Sequence, residues 1–231
     1  MIFVVIEGYI AMKRKSLLLF VMFLLFCVIP MSMAAMLSKP QRTLEEQRYT
    51  QEELQRYRDL GEQLIDACDK GDLERAVFWI KSGADVNYCD DLGAYPLFYA
   101  CQRKHRNVIK YLLENGADIN AVNLLGNKNL TALHVACEVE DLESVKLLLD
   151  NGADIEAGNI LNETPLSTSS AFNKDTKIVE FLIERGAKVN SRNQYQATPL
   201  LSAAIYNKDR IVAALLKAGA DKNAATHPMI R

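Results

Sequence analysis

Cysteine is too sparse to build this chain's fold: five residues in 231 do not make a disulfide scaffold. Glycine and proline, at 11 and 6, are too few for a collagen-like or low-complexity polymer. Neither sign of charge prevails. Lys and Arg total 27 against 29 Asp and Glu, a net of −2, which does not favour a nucleic-acid binder held by phosphate neutralisation. A long disordered chain is excluded by 49% hydrophobic and only 24% charged residues. Histidine is limited to His105, His134 and His227. No G-x-S-x-G elbow, P-loop or G-x-G-x-x-G fingerprint occurs. What remains has the composition of an ordinary globular body.

The first residues differ from the rest. Lys13, Arg14 and Lys15 are followed by an apolar run from Leu17 to Ile29, then by Pro30, Ser32, Ala34 and Ala35. Basic, apolar and then small residues is the layout of a secretory signal, so residues 1–34 are expected to direct export and to be cut after Ala34. Met12 is a second candidate start, and Met36 would open a form without the signal that stays in the cytoplasm. An uncleaved inner-membrane anchor needs roughly 20 apolar residues, and Pro30 and Ser32 make it marginal. Phe26 before Cys27 argues against lipidation there. Residues 1–34 hold three of the 27 basic and one of the 29 acidic residues, which leaves the remainder at −4. Such a body is not drawn to an anionic membrane surface.

Residues 35–60 read as a linker and a short N-terminal helix, opened by the capping-box pattern Thr50-Gln51-Glu52-Glu53. Beyond them the chain repeats itself. Gly83-Ala84-Asp85 recurs as Gly116-Ala117-Asp118, Gly152-Ala153-Asp154, Gly186-Ala187-Lys188 and Gly219-Ala220-Asp221, at steps of 33, 36, 34 and 33 residues. A second motif precedes the last four: Tyr95-Pro96-Leu97-Phe98, Thr131-Ala132-Leu133-His134, Thr164-Pro165-Leu166-Ser167 and Thr198-Pro199-Leu200-Leu201. Thr caps a helix and Pro fits its first turn, where no backbone N–H is needed. Gly ends the second helix in a left-handed turn. The turn between the two helices has glycine only at Gly71; Lys104, Glu140, Asn173 and Asn207 replace it elsewhere, so those turns are expected to be less regular. Extra residues fall within Asn123 to Leu130 and within Ala171 to Thr176.

This period and pair of motifs resemble the ankyrin repeat. The resemblance covers residues 61–225 and implies an all-α solenoid of five helix-turn-helix repeats with projecting hairpin-like fingers, followed by a tail at 226–231. A repeat cannot bury both faces alone, so stacking supplies the core.

Little else in the sequence points to chemistry. Cys68, Cys101 and Cys137 share one repeat position, and stacked equivalents lie ~10 Å apart, beyond the ~7 Å Cα limit for a disulfide. They read as small buried hydrophobes; Cys89, in a finger, is the one plausible reactive thiol. His134 is the motif histidine and is expected to bond within its turn. Ser167 to Ser170 fall in the first helix of repeat 4 with no base in view. The sequons at Asn129 and Asn162 are accidents of the repeat, since their Thr is already a helix cap. No catalytic residue, metal or cofactor is expected.

The resemblance also implies where a protein partner binds: on the fingers and the exposed side of each first helix, which line one concave face. Carried over from the motif Thr, these positions are Asp91, Leu92, Ala94, Gln102 and Arg103 in repeat 2. Repeat 3 presents Asn127, Lys128, Leu130, Glu138 and Val139. Repeat 4 presents Ile160, Leu161, Glu163, Ala171 and Phe172, and repeat 5 Gln194, Tyr195, Ala197, Ile205 and Tyr206. Leu124 and Leu125 of the enlarged finger extend the surface. The site is expected to consist of Leu92, Arg103, Leu124, Leu125, Lys128, Val139, Ile160, Leu161, Phe172, Tyr195, Ile205 and Tyr206, most apolar in repeats 4 and 5. An export signal joined to one short array is similar to exported bacterial ankyrin proteins that serve as immunity proteins, some against lipase-type toxins. A periplasmic or secreted chain, monomeric until it meets one toxin or effector protein, is the leading expectation. A periplasmic accessory to an envelope or oxidative-stress enzyme and a host-directed effector are the alternatives.

Overall fold

The computed structural model describes residues 50–124 and 128–224. The expected signal, most of the linker and the tail lie outside the described residues. The chain divides into two compact units, Met1–Glu52 and Glu53–Arg231, and the second carries the repeats. Among the described residues ten helices form five pairs: α1 Gln51–Lys70 with α2 Leu73–Lys81, α3 Pro96–Gln102 with α4 Arg106–Glu114, and α5 Ala132–Glu138 with α6 Leu142–Asp150. The series ends with α7 Pro165–Phe172 and α8 Lys177–Glu184, then α9 Pro199–Ile205 and α10 Asp209–Lys217. First helices pack on first helices (α3 on α5, α5 on α7, α7 on α9) and second on second from α2 to α10, giving two layers. Among the described residues the only β pairing is an isolated antiparallel bridge between Asn123 and Leu130.

Repeated columns of small and aliphatic side chains make the core. Ala67, Ala100, Ala136, Ser169 and Ala203 are all fully buried in the first-helix layer. Leu112, Leu148, Leu182 and Leu215 are fully buried in the second. Removing such an aliphatic side chain from water contributes ~1.5–3 kcal/mol. Cys68, Cys101 and Cys137 form another column, buried and unpaired, which Ser170 continues. Burial pushes the Cys68 thiol up to about 12 and the Cys137 thiol to about 12, so neither is a nucleophile at neutral pH.

Two features depart from the sequence reading. The expected short N-terminal helix and the first helix of repeat 1 are one continuous helix of 20 residues. Gly61, in its middle, does not break it because the Tyr88 ring of the first finger packs there; a Cβ on Gly61 would lie 2.2 Å from Tyr88 Cγ. Tyr88 Oη donates to Glu62 at 3.0 Å and Tyr57 Oη donates to Asp85 at 2.9 Å, which ties the finger to the helix.

The inter-helix turns are also more uniform than expected. Lys104, Glu140 and Asn207 hold φ of 63°, 56° and 56°, beside 71° at Gly71, so three non-glycine residues adopt the same left-handed turn. Only repeat 4 differs: Asn173 is extended at φ −68°, ψ 149°, because its extra residue lets the chain reverse by another route. Glycine is needed at 71 for a separate reason, since a Cβ there would sit 2.4 Å from His105 Nδ1 of the next repeat.

Candidate protein-binding face

Three fingers are each shaped by one side chain, and the fourth is closed by the backbone bridge between Asn123 and Leu130. Asp90 Oδ1 accepts from the amides of Leu92 and Ala94 at 2.9 and 2.8 Å. Asn159 does the same for Leu161 and Glu163, and Asn193 for Tyr195 and Ala197. The residue two before each motif Thr is left-handed: Gly93, Asn129, Asn162 and Gln196. Asparagine tolerates that conformation, which gives the two sequon asparagines a structural reason. Adjacent fingers are joined by single backbone bonds, Leu124 N to Gly93 O, Ile160 N to Lys128 O and Gln194 N to Leu161 O. The finger tips therefore form one continuous edge.

That edge presents Leu92, Leu124, Lys128, Ile160 and Tyr195 to solvent, with Leu161 half-buried. From the first helices, Arg103, Phe172, Ile205 and Tyr206 are exposed and Val139 half-buried. Leu125 lies outside the described residues. Three further positions carried over from the motif register are buried: Ala94, Leu130 and Ala171. Ala94 and Leu130 accept and donate the finger-closing backbone bonds, so their side chains turn into the stack.

The face is not uniform. At its N-terminal end Arg103 Nε donates to Asp69 at 2.8 Å, and Lys128 pairs with Glu138 at 3.4 Å. At its C-terminal end the Phe172 and Tyr206 rings meet with centroids 5.9 Å apart and planes tilted by 38°. Phe172 is 46% exposed, Tyr206 53% and the neighbouring Ile205 60%. The register already put Phe172 and Tyr206 in one column; their ring contact needed coordinates.

Polar groups inside the stack serve the fold. The Thr131 amide can only donate, so His134 Nδ1 accepts and Nε2 donates to Glu163 O at 2.9 Å, in the next repeat's finger. His134 thus locks two repeats as well as its own turn. Burial holds its pKa below 6.5 despite the Glu163 carbonyl, leaving it neutral. Ser169 and Ser170 donate back to the carbonyls of Pro165 and Leu166 at 2.9 and 2.7 Å, which accounts for the serine run. Arg106 crosses to buried Asp141, which also accepts from Ser144 at 2.6 Å. Burial acts to raise the Asp141 carboxyl, and these two partners together hold it below the usual range. Among the described residues no three His, Cys, Asp or Glu side chains gather as metal ligands. No helix of the described residues is long and apolar enough to cross a membrane.

Comparison with known proteins agrees with this geometry. A family model described as ankyrin repeats (3 copies) matches residues 64–159 and again 156–226. The chain belongs to the ankyrin-repeat family. Ankyrin repeat domain-containing protein 40 of Mus musculus is 38% identical over 58 residues, 25% of this chain and 16% of that protein. Ankyrin repeat and KH domain-containing protein 1 of Homo sapiens is 42% identical over 66 residues, 28% of this chain and 2% of that protein. Human protein phosphatase 1 regulatory subunit 27 is 37% identical over 60 residues, 26% of this chain and 39% of that protein. The matches thus span well under half of each relative. As an ankyrin-repeat protein the chain is a protein–protein interaction module, and its relatives are repeat and regulatory proteins.

Proposed function

We propose that this ankyrin protein is an exported, non-catalytic binder that holds one protein partner on its finger and first-helix face. The anchor is the apolar group Ile160, Phe172, Tyr195, Ile205 and Tyr206. The observation that carries this reading is the exposed Phe172–Tyr206 ring pair, 5.9 Å apart on a face where water would otherwise favour charge. The partner is a toxin or effector protein, and binding neutralises it, as an immunity protein does. A basic, apolar, small-residue leader at residues 13–35 supports export, and a relative named as a phosphatase regulatory subunit supports action on an enzyme.

The test is capture of the partner from the protein's own cells, followed by Phe172→Ala with Tyr206→Ala. Central aromatics contribute ~2 kcal/mol or more each, so the double variant is expected to lose at least about tenfold in affinity, and its protection of cells. Circular dichroism should show an intact fold, and changes at Lys81 and Glu114 on the second helices should leave affinity unchanged. A well-folded double variant with full affinity and protection refutes the assigned face. An intact Met1 or Met12 on a soluble cytoplasmic product refutes export.

A further inference from the structure

A backbone bond that recurs through the array is broken in repeat 4. In the other four repeats the residue that opens the second helix is held in two ways. Its amide donates to a first-helix carbonyl: Asp72 to Ala67, His105 to Ala100, Asp141 to Ala136 and Lys208 to Ala203, at 2.9, 2.9, 3.0 and 2.9 Å. Its carbonyl accepts from the residue four further on, namely Ala76, Ile109, Val145 and Val212, at 3.0, 2.9, 3.0 and 2.9 Å. Repeat 4 keeps the first bond and loses the second. Asn173 N donates to Ser169 O at 3.0 Å, and Ser169 stands in the column of those alanines. Helix α8 then starts only at Lys177, because Lys174, Asp175 and Thr176 intervene. Val179 holds the place of Ala76, Ile109 and Val145, yet among the described residues its amide donates to no protein group and the Asn173 carbonyl accepts from none.

Buried polar groups of complementary kind are thus parted at one junction. Val179 is fully buried, so its N–H has no solvent to turn to. Asn173 is 1% exposed, and neither Nδ2 nor Oδ1 bonds to a protein atom. Thr176, the cap residue of α8, makes no side-chain cap bond that would serve the free amide. Buried amides rarely go without partners, and an ordered water is the usual one where protein groups cannot meet. The charge at this place selects a neutral ligand. The start of a helix repels a cation. The Asp175 carboxylate, which already accepts from Lys177 N at 3.0 Å, repels an anion.

We infer that repeat 4 binds one ordered water molecule, which accepts from Val179 N–H and bonds the Asn173 side-chain amide. It stands in for the helix-opening bond of the other repeats and fixes the turn directly after Phe172. The inference is independent of the partner-binding proposal, since the site lies inside the stack.

The test is proton NMR on the isotopically labelled full chain. A long-lived water should give cross-peaks of opposite sign in NOESY and ROESY spectra at the Val179 amide and the Asn173 side-chain NH2. The amides of Ala76, Ile109 and Val145, which bond directly to carbonyls, should give none. Asn173→Leu should abolish the Val179 cross-peak, with circular dichroism checking the fold. Ser170→Ala and Thr176→Val should leave it in place, because a hydroxyl proton is not its source. A crystal structure gives a second reading that needs no variant: a water oxygen ~3 Å from Val179 N and from an Asn173 amide atom. No water cross-peak at Val179, its persistence in folded Asn173→Leu, or its loss in either hydroxyl variant overturns the inference. A crystal structure in which Val179 N bonds directly to a protein acceptor overturns it equally.

Discussion

The two ends of the finger and first-helix face use one repeat position for opposite chemistry. Arg103, Val139, Phe172 and Tyr206 all stand eight residues after the motif residue of their repeats. In repeat 2 that position makes a half-exposed ion pair with Asp69, and in repeats 4 and 5 it makes an exposed ring pair. Arg103 and Tyr206 cap their helices with the same backbone, φ −93° and −92°, so that turn does not depend on which side chain stands there. An exposed ion pair contributes at most ~1 kcal/mol, and an exposed ring pair leaves apolar area in water. A position with little to do for stability is available for binding, and in this chain it is charged in repeat 2 and aromatic only in repeats 4 and 5.

The interiors of the two halves differ as well. The fully buried column of Ala67, Ala100, Ala136 and Ala203 is interrupted by Ser169, and the cysteine column by Ser170. Both serines bond back along their own helix, a habit that slightly weakens and bends helices. Buried Asn173, in the one irregular turn, has neither amide atom hydrogen-bonded. These polar interruptions all fall in repeat 4, one of the two repeats that carry the exposed ring pair.

Cutting the core tests that contrast most severely. Leu182→Ala and Leu112→Ala each empty a fully buried site and should cost about 2–5 kcal/mol. In hydrogen exchange, Leu182→Ala should release α7 to α10 while α1 to α6 stay protected, and Leu112→Ala should lower protection throughout. Equal patterns would erase the difference between the halves.

A smaller response comes from acid. His134 has its folded-state pKa below 6.5, so the stability tied to its neutral form is complete above that value. It is lost as pH falls below 6.5 towards the depressed folded value, because the unfolded chain takes up the proton first. Ser167 and Leu201 hold this motif position in repeats 4 and 5, so the junction that loosens is the one between repeats 3 and 4. Urea midpoints measured from neutral pH downward should fall in wild type and fall less steeply in His134→Gln.

Ser169→Ala gives repeat 4 the alanine of the other four repeats and should raise stability by ~0.5 kcal/mol, read from thermal melts. The smallest effect belongs to Arg103→Ala, a change in stability of no more than ~0.5 kcal/mol, since its ion pair is largely solvated. A larger loss there would mean that the N-terminal end of the face is structural after all.

Much of this was legible along the chain. The Gly-Ala-Asp and Thr-Pro-Leu motifs set the repeat register, and register alone put the cysteines in one buried column and Phe172 beside Tyr206. The continuous helix α1 was not legible, because Gly61 reads as a breaker until Tyr88 is seen packed on it. Nor was the left-handed geometry of Lys104, Glu140 and Asn207, since a turn imposed by packing on both sides overrides residue preference. Arg106 and Asp141 are 35 positions apart, and no local pattern links them.

Periodicity determined the architecture, because a helix pair that recurs every 33 to 36 residues has one way to bury its apolar sides, against its own copies. Only the tertiary structure decided which side chains remain in water at the array's edge and end. Exposure is a property of neighbours: Ala204 and Val212 match buried residues in every other repeat, and they lie open because, among the described residues, no further helix pair packs on repeat 5.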